Sequence, residues 1–185
     1  MVKQILKESE DKMHKAVEVL RSELTKIRTG KATTALLDGV KVDYYGSMVP
    51  LHQAATVGVS DVHTITVQPW DKGLIPAIEK AILTANLGLN PIGDGTLVRV
   101  PIPALNEERR KELVKLVKKF TEDGKIAIRN IRRDCLEHLK KAEKQEHFSE
   151  DERKRGEQEA QKLTDKFIKE MDVLVGLKEK EIMEV

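Results

Sequence analysis

Cysteine is almost missing from this chain: Cys135 is the single one in 185 residues. An internal disulfide and a thiolate-rich metal site are thereby excluded. Aromatic residues are nearly as scarce, with three Phe, two Tyr and one Trp, too few for a large sheet-rich core. No stretch approaches the roughly 20 apolar residues of a transmembrane helix. The opening MVKQILKESEDK is charged from the start and partly acidic. It fits neither a secretory signal nor a transit peptide, so a cytoplasmic protein is expected, with no membrane partner. Nor does one sign of charge dominate. The 33 basic and 31 acidic residues leave a net charge of +2, so any affinity for nucleic acid must come from local clustering. What the chain does have is charge, at 35%, and apolar residues at helical spacing. That combination suits long, solvent-washed helices and falls short of disorder.

Composition shifts abruptly near residues 30 and 105. Residues 1–29 carry seven basic and five acidic side chains and neither Gly nor Pro. Residues 30–105 hold all six Pro, eight of the eleven Gly and only eleven charges. From 106 onward the charge returns, with 21 basic and 20 acidic residues. A helical sequence is thus interrupted by a turn-rich insert. The expected organisation is a discontinuous helical domain, 1–30 with 105–185, and an inserted domain, 31–104.

In the first segment Met13, Val17, Leu20, Leu24 and Ile27 step by four, three, four and three. This is the stripe of a packed helix, and Gly30 stands where a helix C-terminus is expected. A second helix opens after Pro103, with Asn106 as its cap and Glu107 and Glu108 at the positive end of its dipole. Its expected stripe is Leu113, Val117, Phe120, Gly124, Ala127, Ile131, Cys135, Leu139 and Ala142. Gly124 costs roughly 1 kcal/mol against Ala inside a helix, and a close helix–helix approach is a physical reason to keep it. The pattern breaks at 145–148. Ser149 and Glu152 form a capping box that starts a third helix, with Leu163, Phe167, Met171, Leu174 and Ile182 as its inner face. One narrow stripe cannot stabilise one helix alone. The short break makes helices two and three an antiparallel hairpin, and helix one must close the bundle.

The insert reads as a small mixed unit, a β-rich α/β domain. Val40, Val42 and Tyr44 alternate with polar residues, and Gly46-Ser47 can turn the chain back into 48–51. Further strands are expected at 54–59, 64–67 and 96–100, with an amphipathic helix over 74–87. Pro76 fits its first turn and Gly88 its end.

Enzyme motifs are lacking. His14, His52, His63, His138 and His147 show no ligand spacing, and Gly93-Asp94-Gly95 lacks the Lys-Ser/Thr of a phosphate loop. It reads as a turn into a strand. No catalytic group, metal or cofactor is expected. The informative cluster is 125–134. Lys125, Arg129 and Arg132 fall at i, i+4 and i+7 on one helix face, with Arg133 beside them. Over 125–133 there are four basic groups and no acidic one. Residues 106–146 carry net +4 and residues 147–185 net −3, so pairing across to helix three competes with an external anion. Planar guanidinium groups suit bidentate phosphate contact, and a rigid Arg ridge suits folded RNA read by shape and backbone. Arg109, Arg110 and Lys111 add charge further up the same helix.

Several short pieces, in order along the whole chain, resemble the ribosome recycling factor family. They are Lys26-Ile-Arg28-Thr-Gly30-Lys-Ala, Val42-Asp-Tyr44-Tyr-Gly46, Pro69-Trp-Asp-Lys72, Glu79-Lys-Ala-Ile82 and Leu87-Gly-Leu-Asn-Pro91. They continue with Glu107-Glu-Arg-Arg-Lys111, Ile128-Arg-Asn-Ile-Arg-Arg-Asp134 and Gln161-Lys-Leu-Thr-Asp165. The resemblance implies an α+β molecule, L-shaped, built from a long antiparallel three-helix bundle with the β/α/β domain inserted on a two-stranded hinge. That hinge comprises Gly30, Lys31, Ala32, Pro103, Ala104 and Leu105. It also implies a monomeric, non-enzymatic factor acting on the ribosome after termination. With elongation factor G and GTP it would promote separation of the subunits. Arg110, Arg129 and Arg132 match the family's positions for contact with large-subunit ribosomal RNA, and Lys125 and Arg133 extend that candidate surface.

Overall fold

The computed structural model describes residues 1–146 and 148–184, so His147 and the C-terminal residue lie outside the described residues. The chain folds as two compact units. One comprises Met1–Arg28 with Asn106–Glu184, and the other Thr29–Leu105.

The first unit is three helices, α1 (Val2–Lys26), α4 (Glu107–Glu146) and α5 (Glu150–Met183). The Asn106 carboxamide accepts from the backbone N–H of Arg109 at 2.7 Å and so begins α4. Ser149 and Glu152 exchange side-chain and backbone bonds in a reciprocal capping box that begins α5. Cross-helix neighbours fix the register. Lys125 meets Asp172, Leu139 faces Gly156, and Arg153 meets Glu143, so α4 and α5 run antiparallel. Val2 reaches Gly156 and Glu10 reaches Lys166, so α1 runs parallel to α5. Met13, Val17, Leu20, Leu24 and Ile27 are all buried, as their spacing predicts. A Cβ at Gly124 would stand 3.2 Å from Met171 Cε, so the helices do approach closely there.

Three details differ from the sequence reading. First, α1 stops at Lys26 and Ile27 is already extended, so the left-handed Gly30 belongs to the connection that follows. Second, the buried stripe of α4 runs through Thr121 and Ile128, while Phe120, Ala127 and Ile131 are half-buried. The Thr121 hydroxyl donates to the Val117 carbonyl at 2.7 Å, which satisfies its polarity inside the core. Third, α5 buries Thr164 in preference to Leu163 by the same device, donating to the Ala160 carbonyl at 2.8 Å. Leu174 is half-buried, and Gly156 and Ala160 supply the rest of the inner face.

The second unit begins with a hairpin, β1 (Lys41–Tyr44) and β2 (Ser47–Pro50), then a helical turn α2 (Leu51–Ala54). There follow β3 (Ala55–Asp61), β4 (Thr64–Pro69), α3 (Ile75–Thr84), β5 (Ile92–Gly93) and β6 (Val98–Pro101). The last four strands form an antiparallel sheet in the order β3-β4-β6-β5. Its core gathers Val40, Val42, Leu51, Ile65, Val67, Ile78, Ile82, Val98 and Val100.

The hairpin turns at Tyr45-Gly46, one residue earlier than expected. Both residues have positive φ, at 50° and 90°, as the tight turn matched to strand twist requires. Tyr44 consequently lies at the exposed tip, outside the core. Leu51 and Ala54 belong to α2 and not to strands. α3 ends at Thr84, three residues short of the expected end, because Asn86 turns left-handed at φ 54° before Gly88 does. Residues 96 and 97 are loop. Their N–H groups both donate to Asp94 Oδ1 at 3.0 Å, which makes the glycine-flanked Asp94 a turn residue.

Candidate nucleic-acid interface

Helix periodicity gathers the basic residues of α4. At about 100° per residue, Arg110, Lys125, Arg129, Arg132 and Arg133 fall within a sector about 140° wide, spread over roughly 35 Å of axis. Their immediate partners differ in kind. Lys125 Nζ bridges to Asp172 Oδ1 on α5 at 2.6 Å, and its side chain is only 20% exposed. Arg129 meets Glu122 on its own helix at 2.9 Å, with both side chains about half exposed. Arg132 donates to the neutral Gln161 Oε1 of α5 at 2.7 Å. Arg133 donates to the neutral Asn130 Oδ1 at 2.9 Å. Arg110 is half-buried, and its flanking residues Arg109 and Lys111 pair with Glu112 and Glu107 of the same helix, each at 2.8 Å.

Pairing with a helix-three carboxylate therefore describes Lys125, whereas Arg129 meets a carboxylate of its own helix and Arg132 and Arg133 donate to amide oxygens. An exposed pair such as Arg129–Glu122 contributes only about 0–1 kcal/mol. Arg132 and Arg133 keep their full charge, because a carboxamide oxygen orients a guanidinium without neutralising it. The exposed Lys115, Lys118 and Lys140 project into the same sector. They lie outside the dense 125–133 block, so local charge density does not mark them. Winding the whole of α4 at 3.6 residues per turn finds them.

The connections to the insert are ordered by one turn. The Ala32 N–H donates to the Val62 carbonyl at 2.7 Å, and the Ile102 N–H donates to the His63 carbonyl at 2.6 Å. The Gly30 carbonyl accepts a hydrogen bond from His63 Nδ1 at 3.0 Å. Gly30, at φ 78°, leaves no room for a side chain: a Cβ there would meet Leu105 Cγ at 3.3 Å and the Pro103 carbonyl at 3.6 Å. The two chain crossings thus lie side by side at Gly30 and Pro103–Leu105. Lys31 and Ala32 are half-buried, while Pro103 and Ala104 are exposed.

No group of three or more His, Cys, Asp and Glu side chains that could hold a metal occurs among the described residues. His14 packs edge-on to Phe167, and Cys135 is buried between the helices. No helix among them is long and apolar enough to cross a membrane.

A family model of ribosome recycling factor matches residues 20–183. The chain belongs to the ribosome recycling factor family. Among its relatives, the ribosome-recycling factor of Symbiobacterium thermophilum is 56% identical over 185 residues, covering 100% of both chains. That of Oleidesulfovibrio alaskensis is 54% identical over 181 residues, covering 98% of each. Among solved structures, a solution structure of the ribosome recycling factor aligns with TM-score 0.76 at 47% identity, over 100% of this chain and 98% of that one. A second aligns with TM-score 0.63 at 50% identity, over 99% of each chain. It is the T. thermophilus factor, described with E. coli elongation factor G bound to the E. coli post-termination complex. The family is one of non-enzymatic translation factors.

Proposed function

We propose that this chain binds the post-termination ribosome as a monomer in the cytoplasm. With elongation factor G and GTP it promotes dissociation of the subunits. Arg110, Arg129, Arg132 and Arg133 contact large-subunit ribosomal RNA at the subunit interface, and Lys125 holds α4 to α5 beneath them. The observation that carries this reading is the arginine face of α4, where Arg132 and Arg133 each donate to a neutral amide oxygen. The half-identical T. thermophilus factor, described on a post-termination complex with elongation factor G, supports the choice of partners.

The physical division of labour is simple. A bundle whose longest helix has 40 residues, about 60 Å at 1.5 Å per residue, is stiff. The insert is joined to it by two short crossings, Gly30–Ala32 and Pro103–Leu105, which act as a hinge. The bundle anchors on phosphates, and GTP hydrolysis by the partner factor supplies the work. The chain needs no reaction of its own.

Light scattering of post-termination ribosomes tests the activity. Subunit separation is expected only when this protein, elongation factor G and GTP are all present, and separation without the protein overturns the reading. Arg132→Ala tests the surface. The loss of one charged phosphate contact, about 1.5–3 kcal/mol, weakens ribosome binding roughly 10- to 100-fold. It also reduces the slope of log affinity against log salt by about one. An unchanged affinity and slope would remove Arg132 from the interface.

A further inference from the structure

Gln161, the α5 amide that meets Arg132, is itself held by Asp165 one turn further along the helix. Gln161 Oε1 accepts from Arg132 Nη1 at 2.7 Å, and Gln161 Nε2 donates to Asp165 Oδ1 at 2.8 Å. The amide orientation is forced. A guanidinium only donates and an ionised carboxylate only accepts, so a single placement of the amide oxygen and nitrogen satisfies both neighbours. Gln161 and Asp165 are one helical turn apart and exposed, whereas Arg132 is half-buried with its Nε enclosed and making no hydrogen bond among the described residues.

We propose that Gln161, held by Asp165, is a positioning residue for Arg132: it fixes the guanidinium plane for an RNA phosphate while leaving its charge intact. A carboxylate at position 161 would hold the same fork but cancel its charge. An apolar residue would leave the side chain free to sample other rotamers, which costs binding entropy. A neutral amide whose own rotamer is fixed by a carboxylate one turn away does neither. Asp165 bonds Gln161, and Arg132 donates to the neutral amide, so the anion stands one link back. The neighbouring Lys125 shows the opposite arrangement, a direct bridge to Asp172, and there the charge is consumed in joining the helices. This inference rests on the assignment of Arg132 to the interface.

The test measures ribosome affinity across a salt series for the full-length protein, with circular dichroism melting of each variant alongside. Gln161→Leu is expected to weaken binding about 3- to 10-fold, the range of one lost neutral hydrogen bond, with the melting temperature nearly unchanged. In an Arg132→Ala background the same substitution is expected to do nothing further. Gln161→Glu is the discriminating variant. Its new bridge to Arg132 offsets the lost bond to Asp165 and the like-charge pair at i,i+4, so the melting temperature should stay near the parent's, yet binding should weaken and the salt slope fall by about one. A merely structural contact predicts unchanged ribosome binding for Gln161→Leu, and that result overturns the proposal, as does undiminished binding by Gln161→Glu. So does a Gln161→Leu effect that adds fully to Arg132→Ala. If Arg132→Ala weakens binding and Gln161→Leu does not, only the positioning role falls. If Arg132→Ala itself is silent, the interface assignment falls with it.

Discussion

Two glycines inside the bundle helices show how single atoms set the helix spacing. A Cβ at Gly156 would lie 3.1 Å from Val2 Cγ1 and 3.2 Å from both δ-methyls of Leu139, and Leu139 is fully buried. A Cβ at Gly124 would press on the Sδ and Cε atoms of Met171, the pliable end of an unbranched side chain. Alanine gains roughly 1 kcal/mol of helix propensity at either position. Overpacking against a branched, enclosed neighbour costs about 1–3 kcal/mol. Gly156→Ala is therefore expected to destabilise by about 1 kcal/mol, and Gly124→Ala to be close to neutral. Urea titration of both variants checks the ordering, and a Gly156→Ala protein more stable than the parent would contradict it.

At the scale of elements, the insert depends on aspartates that tie its turns. The N–H groups of Leu97 and Thr96 hold the Asp94 carboxyl below its ordinary range. The Tyr45 hydroxyl does the same for Asp71, with the Gly73 N–H assisting, and the His63 N–H does so for Asp61. A depressed folded-state pKa means that the unfolded chain takes up protons first as pH falls. The stabilisation is thus fully present above the ordinary aspartate range. It is lost as pH drops through that range toward the folded values. Acid is expected to loosen the amides of 29–105, and Asp94→Asn to flatten that dependence, since a carboxamide oxygen still accepts both bonds but does not titrate. Hydrogen exchange of the insert as a function of pH reads this directly. An acid response unchanged by Asp94→Asn would assign the effect to the other aspartates.

At the scale of the whole molecule, each compact unit has its own core, so damage to one is expected to stay there. Leu51 is 2% exposed and lies within the core of the insert. Leu51→Ala should cost about 2–5 kcal/mol, a large part of the stability of so small a unit. Amides of 29–105 are expected to lose protection, while those of α1, α4 and α5 keep theirs. Equal loss in both units would show that they unfold as one.

The sequence alone determined the α+β class, the three helices and the turn-rich insert, because those rest on periodicity and capping, which are local. Met13 to Ile27 could be read directly, as could Asn106 and the Ser149–Glu152 box. The middle of α4 could not. Thr121 and Thr164 look polar, and only a carbonyl one turn back turns them into core residues. The candidate surface divides the same way. Spacing put Lys125, Arg129 and Arg132 on one face of a helix, but their counter-groups come from residues as distant as Gln161 and Asp172. Whether a cation meets a carboxylate or an amide across a helix pair is set by bundle register, which no local pattern encodes. The tertiary structure alone therefore decided that Lys125 meets a carboxylate of α5 while Arg132 meets a neutral amide there.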